Sequence, residues 1–164
     1  MFKLSYSERE TEEFAFDLAK QNKISFGDII ALRGGLGAGK TAFTRGLAGF
    51  FSSGLRVTSP TFALVNEYAI DINKKILHFD MYRINSEDDL HSIGFYDYLD
   101  DLHNKIIIIE WFENIADFFD ENTADIEILK SWGDDFGAPS ETKNENANAN
   151  ENARKIIFER RLKC

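Results

Sequence analysis

Gly34-Gly35-Leu36-Gly37-Ala38-Gly39-Lys40-Thr41 is the stretch whose reading decides the fold. It satisfies G-x-x-x-x-G-K-[ST] at every fixed position. Ile29-Ile30-Ala31-Leu32 precedes it, an apolar run that reads as a buried strand. Phe43, Leu47, Phe50 and Phe51 follow at the i, i+4, i+7, i+8 spacing of an amphipathic helix. Strand, glycine loop and helix are the setting that a phosphate-binding loop requires. The glycines admit backbone dihedrals that a Cβ forbids. The freed N–H groups form an anion nest, and the helix N-terminus adds its partial positive charge. Lys40 is expected to reach the outer phosphates, and the Thr41 hydroxyl to take a place on Mg²⁺. Gly35, Leu36, Gly37, Ala38, Gly39, Lys40, Thr41 and Ala42 are thus the expected nucleotide-binding residues. A merely flexible turn would need neither the Lys-Thr pair nor the flanking elements.

The chain has 164 residues and is read as one domain, 1–164, with room for a core. Hydrophobic residues make up 43% and charged residues 29%, ordinary for a globular protein. A net charge of −9 makes it a poor solitary binder of nucleic acid, whose phosphates it repels. DNA is therefore not an expected partner, and any RNA should be held by something else. Cys164 is the single cysteine, so no internal disulfide forms, which suits a reducing cytosol. The first residues lack the apolar core of a signal peptide. The strongly apolar run Ile106–Ile109 is too short to span a bilayer. A cytoplasmic location without membrane contact is expected.

Along the chain, residues 2–6 alternate as an edge strand does. Ser7 and Glu10 have capping-box spacing, with Thr11 a second candidate cap. Phe14, Ala15, Leu18 and Ala19 make one helical face. Gly46 and Gly49 inside the helix after the loop imply close packing on the sheet or loop, since each costs about 1 kcal/mol there. Residues 62–70 and 75–79 read as two strands joined by a short turn, hence an antiparallel hairpin. Ser86 and Asp89 form another capping box, with Gly94 as a helix stop. Lys105–Glu110 carries four consecutive isoleucines and reads as a central parallel strand buried on both faces. Trp111, Ile115 and Phe118 continue as a short helical face. Residues 125–129 and 154–160 read as two further strands that pair with each other. Residues 133–152, rich in Asn, Glu and Ala, read as a disordered loop. The fold class is α/β: a three-layer P-loop NTPase-like domain with a mixed, mainly parallel central sheet and an antiparallel hairpin.

Two acids end apolar strands, Asp80 and Glu110. Both are expected near the metal and the water that attacks the γ-phosphate, one as ligand and the other orienting the water. Residue types alone do not divide those roles. Val57-Thr58-Ser59-Pro60-Thr61 lies directly downstream of the loop. Thr58, Ser59 and Thr61 are read there as the segment that senses the terminal phosphate. His78 is read as structural, Trp111 as core or a base-stacking ring, and Arg83 as a lesser phosphate candidate. No Asn-Lys-x-Asp follows the loop, which favours ATP over GTP.

Gly34–Thr41, Thr58-Ser59-Pro60-Thr61-Phe62, His78-Phe79-Asp80-Met81-Tyr82-Arg83 and Glu110-Trp111 together resemble the bacterial TsaE (YjeE) family. The likeness runs in order from about residue 7 to residue 130. It implies a small P-loop ATPase of tRNA threonylcarbamoyladenosine synthesis. Its implied partners are a threonylcarbamoyl-transferase and that enzyme's paralogous partner subunit, with tRNA reached through them. Lys40 and Thr41 carry over as phosphate and Mg²⁺ contacts, Thr58 to Thr61 as the switch, and Asp80 and Glu110 as acids of the Mg²⁺ and hydrolysis site. Lys40, Asp80 and Glu110 are the catalytic candidates, and Thr41, Asp80 and Glu110 the metal candidates. Phe112 departs from the family's usual proline after Glu-Trp, and the Asn-rich insertion is also unusual. Two other readings are a P-loop small-molecule kinase, which lacks an arginine-rich lid here, and a nucleotide-gated binding module.

Overall fold

The computed structural model describes residues 1–60, 63–119, 121–130 and 153–161. In chain order the elements are β1 (Phe2–Ser5), α1 (Glu8–Lys20), β2 (Ile29–Arg33), α2 (Lys40–Phe51), β3 (Val65–Ala69), β4 (Lys75–Asp80), α3 (Glu87–Ser92), β5 (Lys105–Glu110), β6 (Thr123–Lys130) and β7 (Arg154–Arg161). The strands form one sheet in the order β1-β7-β6-β2-β5-β4-β3. β6, β2, β5 and β4 run parallel. β3, β7 and β1 attach antiparallel outside them. The expected hairpin is thus β3–β4, and the pairing of the last two strands is β6–β7.

β5 lies inside the sheet, between β2 and β4, because its isoleucines bury both faces. Ile106 and Ile108 join the core beneath α1 and α2, whereas Ile107 and Ile109 join a second core with Leu77, Phe79, Leu90 and Phe95. Successive residues of a strand point to opposite faces, so an unbroken apolar run serves two cores at once. Phe14, Ala15, Leu18 and Ala19 are buried, as their spacing requires. Phe43 and Leu47 are buried from α2, while Phe50 at the stripe's end is exposed and meets Phe16 edge-on.

Several local expectations are corrected. A Cβ on Gly46 would lie 2.1 Å from the Glu12 carbonyl oxygen, so this glycine lets α2 touch the backbone of α1, not the sheet or loop. Gly49 has nothing within 4 Å of that position and no packing reason. Ser7 caps α1 by accepting from the Glu10 N–H, but the Glu10 carboxylate accepts from the Tyr6 N–H, one residue outside a capping box. Thr11 is no cap: it is buried and bonded to Ser5 and Ser7. β3 begins at Val65, because Leu64 takes φ 67° and the Pro60 carbonyl accepts from both Ala63 and Leu64. Residues 112–118 form two 3-10 turns, Phe112–Asn114 and Ala116–Phe118, after Trp111 turns the chain at φ 59°. Thr61, Phe62, the loop expected at 133–152 and Cys164 lie outside the described residues. Among the described residues no helix is long and apolar enough to cross a membrane.

Candidate functional site

The site lies where parallel strands end, the edge at which open α/β sheets bind ligands. Register decides what meets there. Leu32 of β2 pairs with Glu110 of β5, and Glu110 pairs with Asp80 of β4. The glycine loop leaves β2 at that same level and delivers Lys40 and Thr41 at the start of α2. Gly34 takes φ 136°, and a Cβ there would sit 2.5 Å from the Ile128 carbonyl oxygen, so the loop starts in space no side chain can share. Gly37 and Gly39 also take positive φ. Gly35 does not, and open space surrounds its Cβ position, so the motif's four glycines are not equally constrained.

Lys40 is buried. Its Nζ donates to the Gly34 carbonyl at 2.7 Å and the Gly35 carbonyl at 3.1 Å, and lies 4.0 Å from the centre of the Trp111 ring. Burial lowers its pKa, opposed by the charges of Glu110, Glu113 and Asp80. The Thr41 Oγ1 donates to Glu110 Oε1 at 3.2 Å. His78 Nε2 lies 2.8 Å from the same oxygen. Asp80, also buried, accepts from the Tyr82 N–H through Oδ1 at 3.0 Å. The loops after β4 and β5 are tied together: the Met81 N–H donates to the Glu110 carbonyl, and Asn114 Nδ2 donates to the Met81 carbonyl at 2.9 Å. Phe112 is buried under the Arg33 guanidinium, 4.8 Å from its ring centre. It anchors the turn after Glu110 by packing.

The structure therefore brings Lys40, Thr41, Glu110 and Asp80 to one edge. Thr58 is tied to β3: its carbonyl accepts from Asn66 Nδ2 at 3.0 Å and from the Tyr68 hydroxyl at 3.1 Å. Ser59 and Arg83 are exposed. Trp111 and His78, weighed lightly in the sequence, join the site, as do Tyr82 and Lys130. Trp111 supplies the ring over Lys40, and the Tyr82 ring lies tilted against it, 5.0 Å centre to centre. His78 reaches Glu110. Its signal was the spacing of two from Asp80, which puts both on one face of β4. Lys130, ending β6, lies 3.0 Å from the Cβ position of Gly37, and no motif marks it.

Comparison with known proteins adds a separate line. Residues 5–135 match the family model described as "Threonylcarbamoyl adenosine biosynthesis protein TsaE". The "tRNA threonylcarbamoyladenosine biosynthesis protein TsaE" of Rickettsia typhi is 41% identical over 110 residues, which cover 66% of this chain and 72% of that one. The protein of the same name from Rickettsia conorii is 39% identical over 110 residues, covering 66% of this chain and 59% of that one. The chain thus spans under two thirds of the second relative's length. The crystal structure of YdiB from Bacillus subtilis matches with a TM-score of 0.67 over 96% of this chain and 83% of that one. At 24% identity that likeness shows the shared fold.

Proposed function

This chain belongs to the TsaE family, and on that premise we propose that it is a Mg²⁺-dependent ATPase subunit of tRNA threonylcarbamoyladenosine synthesis, working with a threonylcarbamoyl-transferase and its paralogous partner subunit. The observation that carries the reading is the register that sets Lys40, Thr41, Glu110 and Asp80 at one sheet edge beside a Gly34–Thr41 phosphate loop. The single 1–164 domain then acts in the cytoplasm and meets tRNA only through its partners.

The residues fit the implied metal. Thr41 and Glu110 offer oxygen donors 3.2 Å apart, with the Asp80 carboxylate on the next strand. Among the described residues no cluster of three His, Cys, Asp or Glu side chains forms a closed cage. An open, oxygen-only set is what Mg²⁺ takes when phosphates and water complete its shell. Held there, the ion would supply positive charge that neutralises the phosphates. Thr41 and Glu110 would hold it. Asp80, one strand further from the loop, would orient the attacking water. Lys40 exchanges the Gly34 and Gly35 carbonyls for phosphate oxygens. Gly35 to Ala42 wrap the phosphates, and Thr58, Ser59 and Thr61 respond to the terminal one.

The test is ATP hydrolysis by the purified chain, alone and with the transferase pair, each with and without tRNA. A low basal rate that rises with the pair is the expected outcome. No response to the pair would sink the assembly role. Phosphoryl transfer to a small metabolite in place of hydrolysis would establish a kinase.

A further inference from the structure

We infer that His78 is a positioning residue for hydrolysis, holding the Glu110 carboxylate through its Nε2–H. The inference deepens the ATPase reading above and rests on it. His78 is fully buried on β4. Its Nε2 lies 2.8 Å from Glu110 Oε1, while its Nδ1 has no hydrogen-bond partner among the described residues. An Nδ1–H without an acceptor in a dry core is costly, so the partners assign the proton to Nε2, which donates to the carboxylate. An apolar side chain would fill the same volume with no orphaned nitrogen. What the imidazole adds to the core is this one bond.

Sheet order shows why Glu110 needs it. β5 sits between β2, which feeds the phosphate loop, and β4, which carries His78. On the β2 side the Lys40 ammonium attracts the Glu110 carboxylate, and the Thr41 hydroxyl donates to it. On the β4 side His78 holds the same oxygen. Glutamate has three rotatable side-chain bonds, so a donor from one side alone leaves the second oxygen's direction loose. Donors to Oε1 from α2 on one side and from β4 on the other restrict it. The ring is itself held. Asn66 lies opposite His78 in the β3–β4 register, and the Tyr68 ring is 6.4 Å away, centre to centre. Those two residues also bind the Thr58 carbonyl.

The test compares His78→Gln with His78→Asn in MgATP hydrolysis by the chain with its transferase pair. The Gln amide nitrogen reaches the place of Nε2, and the Asn amide only that of Nδ1. His78→Gln should keep kcat within about threefold of wild type, and His78→Asn should lose about 100-fold. KM for ATP should move by less than about twofold in either, since phosphate binding lies with the loop. In a Glu110→Gln background the loss from His78→Asn should vanish. Melting temperatures of both variants monitor folding. If the Asn variant does not fold, a His78→Gln kcat as low as that of Glu110→Gln overturns the inference by itself. Nitrogen NMR should show a proton on Nε2 and none on Nδ1, and the reverse tautomer overturns it too. So do equal rates for the two variants, a loss carried by KM, or one undiminished beside Glu110→Gln. A wild-type chain with no turnover sinks the ATPase reading and this inference together. An active wild type with equal variants sinks the inference alone.

Discussion

Lys40, the proposed phosphate contact, is held in place by the protein itself. A solvated lysine would contribute little to phosphate binding after losing its water. Here the ammonium is already buried, held by two loop carbonyls and the Trp111 ring. Lys40→Met should weaken MgATP binding about 100-fold, the equivalent of one or two charge-assisted hydrogen bonds. Titration calorimetry at fixed Mg²⁺ measures it, and an unchanged Kd would remove Lys40 from the phosphate site. Burial also holds its pKa below the ordinary lysine value. The unfolded chain then binds that proton more tightly, so stability rises with pH across the window between the depressed and ordinary values. As pH rises toward the ordinary lysine value of about 10.4, the folded wild type should gain on Lys40→Met in denaturation midpoint.

At the scale of elements, α2 carries two glycines with the same local cost and different surroundings. Gly46 faces the α1 backbone, and a methyl group there would have to part the two helices. Gly46→Ala should cost about 1–3 kcal/mol. Gly49 faces open space, and Gly49→Ala should be neutral or stabilising by up to about 1 kcal/mol. Urea denaturation of the two variants decides it, and equal effects would show that α1 and α2 do not pack at Gly46. The glycines read alike in the sequence because propensity sees only their own helix. The neighbour that separates them comes from an earlier helix. The capping of α3 was legible, since Ser86 and Asp89 lie three residues apart and bond each other's backbone. The turn after Glu110 was not legible as two 3-10 segments, because it follows a non-glycine residue at φ 59°, Trp111, which no local spacing marks.

For the whole molecule, the sheet order turns one motif into a site. A net charge of −9 on a domain of this size opposes unaided binding of tRNA. An electrophoretic shift of tRNA at low salt is expected only when the transferase pair is present. A complex with the chain alone would overturn the view that it meets tRNA through partners.

The sequence by itself determined the phosphate loop, the buried central strand, the hairpin and the two acids at strand ends. Each of these is written in contiguous residues, as a spacing or a periodicity. Which of them meet follows from the three-dimensional packing. The parallel register of β2, β5 and β4 brings Glu110 between Leu32 and Asp80, and with it His78, read from the sequence as merely structural. The His78–Glu110 contact, 32 positions apart in the chain, follows from the packing of two cores on opposite faces of β5, and no local pattern carries that distance.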